Sequence, residues 1–403
     1  MPLRKIAMLL AISLASPARA QLLTEAVTQP LAPPAWSVGP AELRLNAETS
    51  GALFDARQPG QSGAKTSGVR ASGVLLLMPE LRRDYDSGLS LRLNGTFAAA
   101  DPLSRGGYDG DAIERLTVSA RTGLGQLEVG LTDGAGDALD VGGPKVDLDV
   151  SLDDPRTSFY RDPRDGRAVI SQFALRTQAG ASSNYAKFVY TSPALFGAQL
   201  ALSFTPSEGK QLPFLNAGPH VAGRQVEFWE AALRYETELG QVSLTGYGAV
   251  AESRAEHKLP GQEGTSDLSF GLRADYPLDE ETSLSLGGSW RQSNAYAFDI
   301  NQTWQPSTTR GQHVSAMLTR GAWSAGVEYG NGVAKEVGIA GLPRLGLNGT
   351  QASLGYLLSP SLRLSGGWQH LSYGRSSVAF YNGARQLKMD AVFLHLNLKT
   401  SDQ

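Results

Sequence analysis

"RLTVSARTGLGQLEVGLTDG", Arg115 to Gly134, reads as two strands joined by a turn. Leu116, Val118 and Ala120 alternate with Arg115, Thr117, Ser119 and Arg121. After "TGLG", Leu127, Val129 and Leu131 alternate with Gln126, Glu128, Gly130 and Thr132. A period of two puts the apolar set on one face of each strand and the polar set on the other. The polar face is too charged for a core, and the apolar face is too regular for a surface. Such a hairpin needs an apolar medium on one side and water on the other.

The same two-faced pattern recurs along the 403 residues. The chain opens with Arg4 and Lys5, an apolar run Ile6 to Ala15 and the A-x-A site Ala18-Arg19-Ala20. These mark residues 1–20 as a secretory signal peptide, with Gln21 first in the mature chain. Beyond it no stretch approaches the roughly 20 apolar residues of a spanning helix. There is no cysteine, so disulfides and thiolate sites are excluded. The net charge of −3 becomes −6 once Arg4, Lys5 and Arg19 leave with the signal. That balance excludes the basic footprint of a nucleic-acid binder.

Residues 21–40 are rich in proline and lack periodicity, so they read as a flexible periplasmic N-terminal tail. From Ala41 to Lys399 the alternation predicts about sixteen strands, an even number. In order they are 41–50, 68–78, 88–98, 114–121, 126–132, 185–191, 198–205, 228–237, 241–250, 267–276, 283–292, 312–320, 323–330, 350–358, 361–370 and 386–398. Short connectors such as "SPALFG", "ELG" and "SPS" alternate with long ones such as 99–112, 133–184 and 206–227. A barrel crossing the outer membrane keeps short turns at its periplasmic end and long loops outside. The fold class that follows is all-β, a transmembrane antiparallel up-and-down β-barrel.

Aromatic residues test this independently. Tyr190, Tyr235, Tyr276, Trp323 and Tyr356 lie near the short turns, in phase with the aliphatic face. Phe97, Phe204, Trp290, Tyr329 and Trp368 lie near the long-loop ends in the same phase. Two girdles one bilayer apart mark lipid interfaces. The opposite parity carries residues such as Glu42, Arg44, Glu48, Arg92, Asn94, Glu230, Arg273, Arg291 and Gln369. Sixteen strands enclose a lumen too wide for side chains to fill, so this face meets water.

The region 41–399 resembles the general diffusion porins of Gram-negative outer membranes. The resemblance is a pattern over the whole chain. Its specific echoes are "ERLTVSARTGLGQLEVGLTDG" and "NYAKFVYTSPALFGAQLALSF", similar to the family's hairpins before and after its constriction loop. The resemblance implies that 133–184, the third long loop, folds into the lumen and narrows it. It implies loop acids (Asp147, Asp149, Asp153, Asp154 and Asp162) facing wall arginines, and a homotrimer in outer-membrane lipid. Insertion by the barrel-assembly machinery and passage of small polar solutes and ions come with it.

Parity alone proposes the basic side: Arg44, Arg70, Arg92 and Arg115 lie inward on the first four expected strands. Like charges on neighbouring strands are tolerable facing water and opposed carboxylates. A blander reading has them solvating the lumen or pairing with Glu42 and Glu114. The loop's acids and the negative balance lean toward cation preference. Two features depart from the family. The chain ends "DAVFLHLNLKTSDQ", with Leu398 where an aromatic residue stands in the family, and the loop lacks the glycine-rich acidic motif of enterobacterial members.

Enzyme chemistry has no footing. His220, His257, His313, His370 and His395 belong to no motif, and no G-x-S-x-G, H-E-x-x-H or P-loop pattern occurs. "DVSLDD" lacks EF-hand spacing, so neither a cofactor nor a metal is expected. Two alternatives stay open: a substrate-specific porin whose loops and aromatics form a sugar or peptide track, and a structural or adhesive barrel plugged by its own loop.

Overall fold

The computed structural model describes residues 30–59, 65–66, 68–100, 113–153, 159, 175–178, 180, 182, 185–207, 225–256, 258, 263–294, 307–336, 345–373 and 387–400. Its strands are β1 (Ala35–Val38), β2 (Ala41–Pro59), β3 (Lys65–Thr66), β4 (Val69–Asp84), β5 (Ser90–Ala100), β6 (Ile113–Thr122), β7 (Gly125–Leu131), β8 (Ala186–Thr191) and β9 (Ala198–Ser207). They continue with β10 (Gln225–Leu239), β11 (Val242–Ala255), β12 (Ser266–Pro277), β13 (Thr282–Ser293), β14 (Ser307–Arg320), β15 (Trp323–Glu336), β16 (Leu345–Ser359), β17 (Leu362–Tyr373) and β18 (Leu387–Lys399). One turn of helix, α1 (Ala135–Ala138), follows β7. Among the described residues no helix is long and apolar enough to cross a membrane.

All ladders are antiparallel, and β2 with β4 to β18 forms a closed ring of sixteen strands. The seam is the β18–β2 ladder, from Asp390 opposite Arg57 to Lys399 opposite Glu48. Closure matters because an open edge in lipid would leave backbone N–H and C=O groups unpaired. β1 lies along the edge of β2 that β18 does not reach, with Ala35 opposite Arg44 and Val38 opposite Ala41. Part of the stretch expected as a flexible tail is thus a strand, since its backbone groups find partners there.

The opening hairpin is β6–β7, with Leu116 opposite Leu131 and Arg121 opposite Gln126. Its turn closes because Gly125 adopts φ +127°, where a Cβ would also meet the Thr191 carbonyl oxygen at 2.5 Å. Each of the sixteen expected strands is present, but most run further at the long-loop end. β2 continues to Pro59, β11 to Ala255, and β14 starts at Ser307. The physical reason is that alternation reports lipid contact, and these ladders continue past the apolar zone, where the outward face turns polar.

Exposure separates the two faces. Val118, Leu127, Leu233, Leu272, Val314, Val327 and Leu354 are exposed on the outside. The other parity holds buried or half-buried polar groups, including Thr117, Ser119, Glu128, Glu230, Ser269 and Gln351. This inversion of the ordinary globular arrangement is the pattern of a membrane barrel.

Candidate functional site

Segment 133–184 supplies the site. Its described part touches inward-facing wall residues in strand order. Ala135 donates its backbone N–H to Ser203 Oγ on β9 at 3.0 Å, and Tyr247 on β11 donates to the Gly136 carbonyl at 2.7 Å. Val141 lies against Gly271 on β12, and Gly143 against Gly287 on β13 and Ser315 on β14. Val146 abuts Gly326 on β15 and Gly355 on β16. Arg363 on β17 donates to the Val146 carbonyl at 3.0 Å. The run ends on β18, where Asp147 meets His395 and Asn397 donates to Asp149 at 3.2 Å.

A hydrophobic anchor fixes the far end. Val150, Leu152, Phe159 and Leu175 are buried together with Phe54, Leu347, Leu371, Met389, Ala391 and Phe393. The Phe159 ring centroid lies 4.9 Å from that of Phe54 and 5.1 Å, stacked, from that of Phe393. Each fully buried apolar side chain of this size contributes roughly 1.5–3 kcal/mol. An inward Phe on a polar face would be unfavourable in open water, so these contacts explain why Phe54 and Phe393 stand at inward parity.

Polar latches complete the attachment. His395 Nδ1 lies 2.6 Å from Asp147 Oδ2, and Ser365 Oγ also donates to Asp147. Asp153 pairs with Lys145 at 2.7 Å and accepts from Ser151 and Thr177. His313 Nε2 on β14 lies 3.2 Å from Glu328 on β15, whose carboxylate also accepts the Leu152 N–H and the Gln351 amide. Burial alone would raise the Asp153 carboxyl, but Lys145 and His313 outweigh it and hold the group down to about 2. Burial raises Asp137 well above the usual carboxylate range, which the Arg176 guanidinium 3.9 Å away does not offset.

Asp147, Asp149 and Asp153 are 4%, 5% and 2% exposed, so these expected loop acids turn to the wall or to other loop residues. Asp154 and Asp162 lie outside the described residues. Asp133 is exposed, whereas Leu148 stands out between the two buried aspartates at 59% exposure.

The four expected arginines do not gather at one level. Arg44 faces Glu80 across the β2–β4 ladder, and Arg70 is ten residues further along β4. At about 3.3 Å per residue that separates them by roughly 33 Å. Arg44 pairs with Glu42 at 2.9 Å, Arg92 lies 3.8 Å from Glu80, and Arg115 pairs with Glu128 at 2.6 Å. Arg70 stands opposite Phe54.

The ten expected girdle residues lie on the outward face: Phe97, Tyr190, Tyr235, Tyr276, Trp323, Tyr329 and Trp368 are exposed, and Phe204, Trp290 and Tyr356 are half-buried against neighbours. Trp323 packs on Tyr356 with centroids 4.5 Å apart, Phe204 on Trp229 at 4.5 Å, and Trp290 on Phe270 at 5.7 Å.

Sequence reasoning missed His313, His395, Ser365 and Lys145 as attachment points. His313 and His395 are interior to their strands. The available signal was parity: both stand inward.

A closed antiparallel barrel, apolar outside and polar within, is the architecture of an outer-membrane β-barrel protein. The chain belongs to the Gram-negative porin family, whose model matches residues 7–376. The outer membrane channel DcaP of Acinetobacter baumannii shares the fold at TM-score 0.57 and 10% identity, covering 92% of this chain and all of that one. OmpF of Salmonella typhi, in complex with daunomycin, gives 0.56 at 11% identity over 88% and 98%. The anion-selective porin of Comamonas acidovorans gives 0.54 at 14% identity over 89% and 99%. No curated protein matches the chain.

Proposed function

We propose that this outer-membrane channel is a general diffusion pore for small hydrophilic solutes and ions, narrowed by segment 133–184. The observation that carries the reading is the ordered run of contacts from Ser203 on β9 to His395 on β18. A segment held along one side of the inner wall reduces the cross-section without sealing it. Among the described residues, its hydrogen bonds and ion pairs from 135 to 153 go to β9 and to strands beyond it, or stay within the segment. Arg92 on β5 and Arg115 on β6 then stand on the facing wall, in water, where they polarise passing solutes. The three buried aspartates act as anchors that set the shape of the opening. The girdle aromatics sit at the two lipid–water interfaces, and the barrel works as a homotrimer.

The test is planar-bilayer recording after deletion of 147–167. Conductance should rise while the barrel still inserts; an unchanged conductance removes the segment from the pore. Solute-dependent block that saturates would instead select a substrate-specific channel.

A further inference from the structure

We propose that His395 and Asp149, oriented by Asp147, form a binding site for one divalent transition metal ion of the zinc type, tying segment 133–184 to β18. This goes beyond passive permeation and rests on local geometry. Asp147 accepts from Ser365 Oγ, from the Asp149 N–H at 2.9 Å and from His395 Nδ1 at 2.6 Å. A carboxylate in such a set only accepts, so Nδ1 carries a proton and Nε2 is the ring nitrogen left to meet a second partner. His395 is 1% exposed, and its Nε2 has no hydrogen-bond partner.

That nitrogen is aimed at Asp149 Oδ2, 3.6 Å away. The separation is too long for a hydrogen bond. It is close to the roughly 3.4 Å expected between two ligands of one tetrahedral ion with metal–nitrogen and metal–oxygen distances near 2.1 Å. A metal ion there would take the place of any Nε2 proton and bridge the two ligands. One ligand atom from each of Asp147, Asp149 and His395 falls within 4.8 Å of the others.

The surroundings repeat a known logic. Ligating histidines donate their other ring N–H to a carboxylate, which fixes tautomer and ring orientation. Here Asp147 stands in that place. A third carboxylate adjoins the pair, because the Asn397 amide donates to Glu48 at 2.7 Å and to Asp149 at 3.2 Å. Imidazole with carboxylate suits zinc, nickel or copper more than magnesium. The second cluster, Asp153, His313 and Glu328, carries less: the Lys145 ammonium already neutralises Asp153.

The experiment is isothermal titration of the detergent-solubilised, chelator-stripped mature barrel with zinc chloride, and separately with magnesium chloride. One zinc equivalent should bind, with magnesium at least tenfold weaker. His395→Asn and Asp149→Asn should each weaken zinc binding tenfold or more, and Asp147→Asn by about 10–100-fold. Heat-modifiable electrophoretic mobility reports that each variant is folded, and Asp149→Asn leaves the His395–Asp147 contact in place should His395→Asn fail to fold. The proposal is overturned by absence of zinc binding, by variants that bind as the parent does, by magnesium binding equally well, or by loss of binding only in His313→Asn. None of these outcomes depends on pore conductance.

Discussion

The carbonyl oxygen of Val141 occupies the space a side chain on Gly271 would need: a Cβ there would lie 1.6 Å from it. Backbone of segment 133–184 therefore rests directly on backbone of β12. Nothing flexible separates them, so any added carbon must push one of them away.

Gly271→Ala should displace the segment toward the open lumen. Single-channel conductance should fall, and the unfolding midpoint should drop by the equivalent of about 1–3 kcal/mol, the usual cost of overpacking. Recording and thermal melting of the same preparation check both. A conductance equal to that of the parent would mean that the contact does not shape the opening.

The attachment has an acid limit. Asp153 is held down to about 2 from an ordinary 3.8, with Lys145 and His313 overcoming its burial. A depressed folded value contributes stability that is present above pH 4 and lost as pH falls through 2. The difference amounts to about 2 kcal/mol. Asp147 shifts in the same direction, its hydrogen bond from His395 overcoming burial. The unfolding midpoint of the parent should fall more than that of Asp153→Asn as pH drops from 4 to 2. Equal falls would assign the acid limit elsewhere.

Exposed charge acts on passing ions, whereas buried and partnered charge does not. Asp133→Asn should shift the reversal potential under a salt gradient toward anions, and Asp149→Asn should shift it less. Asp133 is exposed, but Asp149 is 5% exposed and accepts from Asn397. Equal shifts would show that both carboxylates meet the permeating stream.

The outer face should reject charge and the inner face should accept it. Val327, 56% exposed between Trp323 and Tyr329, faces outward in β15. Val327→Arg should cost about 2–4 kcal/mol in lipid-reconstituted unfolding. Thr245 stands inward between Glu236 and Arg273 in register, so Thr245→Arg should cost far less. Equal costs would contradict the assignment of faces.

The strands and their faces were legible because lipid imposes a period of two on every crossing, as Val118 and Leu127 illustrate. The strand ends at Pro59, Ala255 and Ser307 were not, because past the apolar zone backbone pairing continues while the side-chain pattern stops. β1 escaped notice for a related reason: four residues after a proline-rich stretch carry too little pattern. Phe54, Leu371, Met389 and Phe393 broke the inward polarity, and with the inward His313 and His395 they were the trace in the sequence of where the described part of segment 133–184 is anchored.

By itself the order of residues determined a two-faced ring of sixteen crossings and the length of segment 133–184. Only the closed barrel decided that Asp147 meets His395, 248 residues away, that Phe159 lies between Phe54 and Phe393, and that Arg44 and Arg70 stay apart. Alternation is set residue by residue by the solvent on each side. A partner across the lumen is set by the registers of every ladder in between, and those become fixed together only when the last strand pairs with the first.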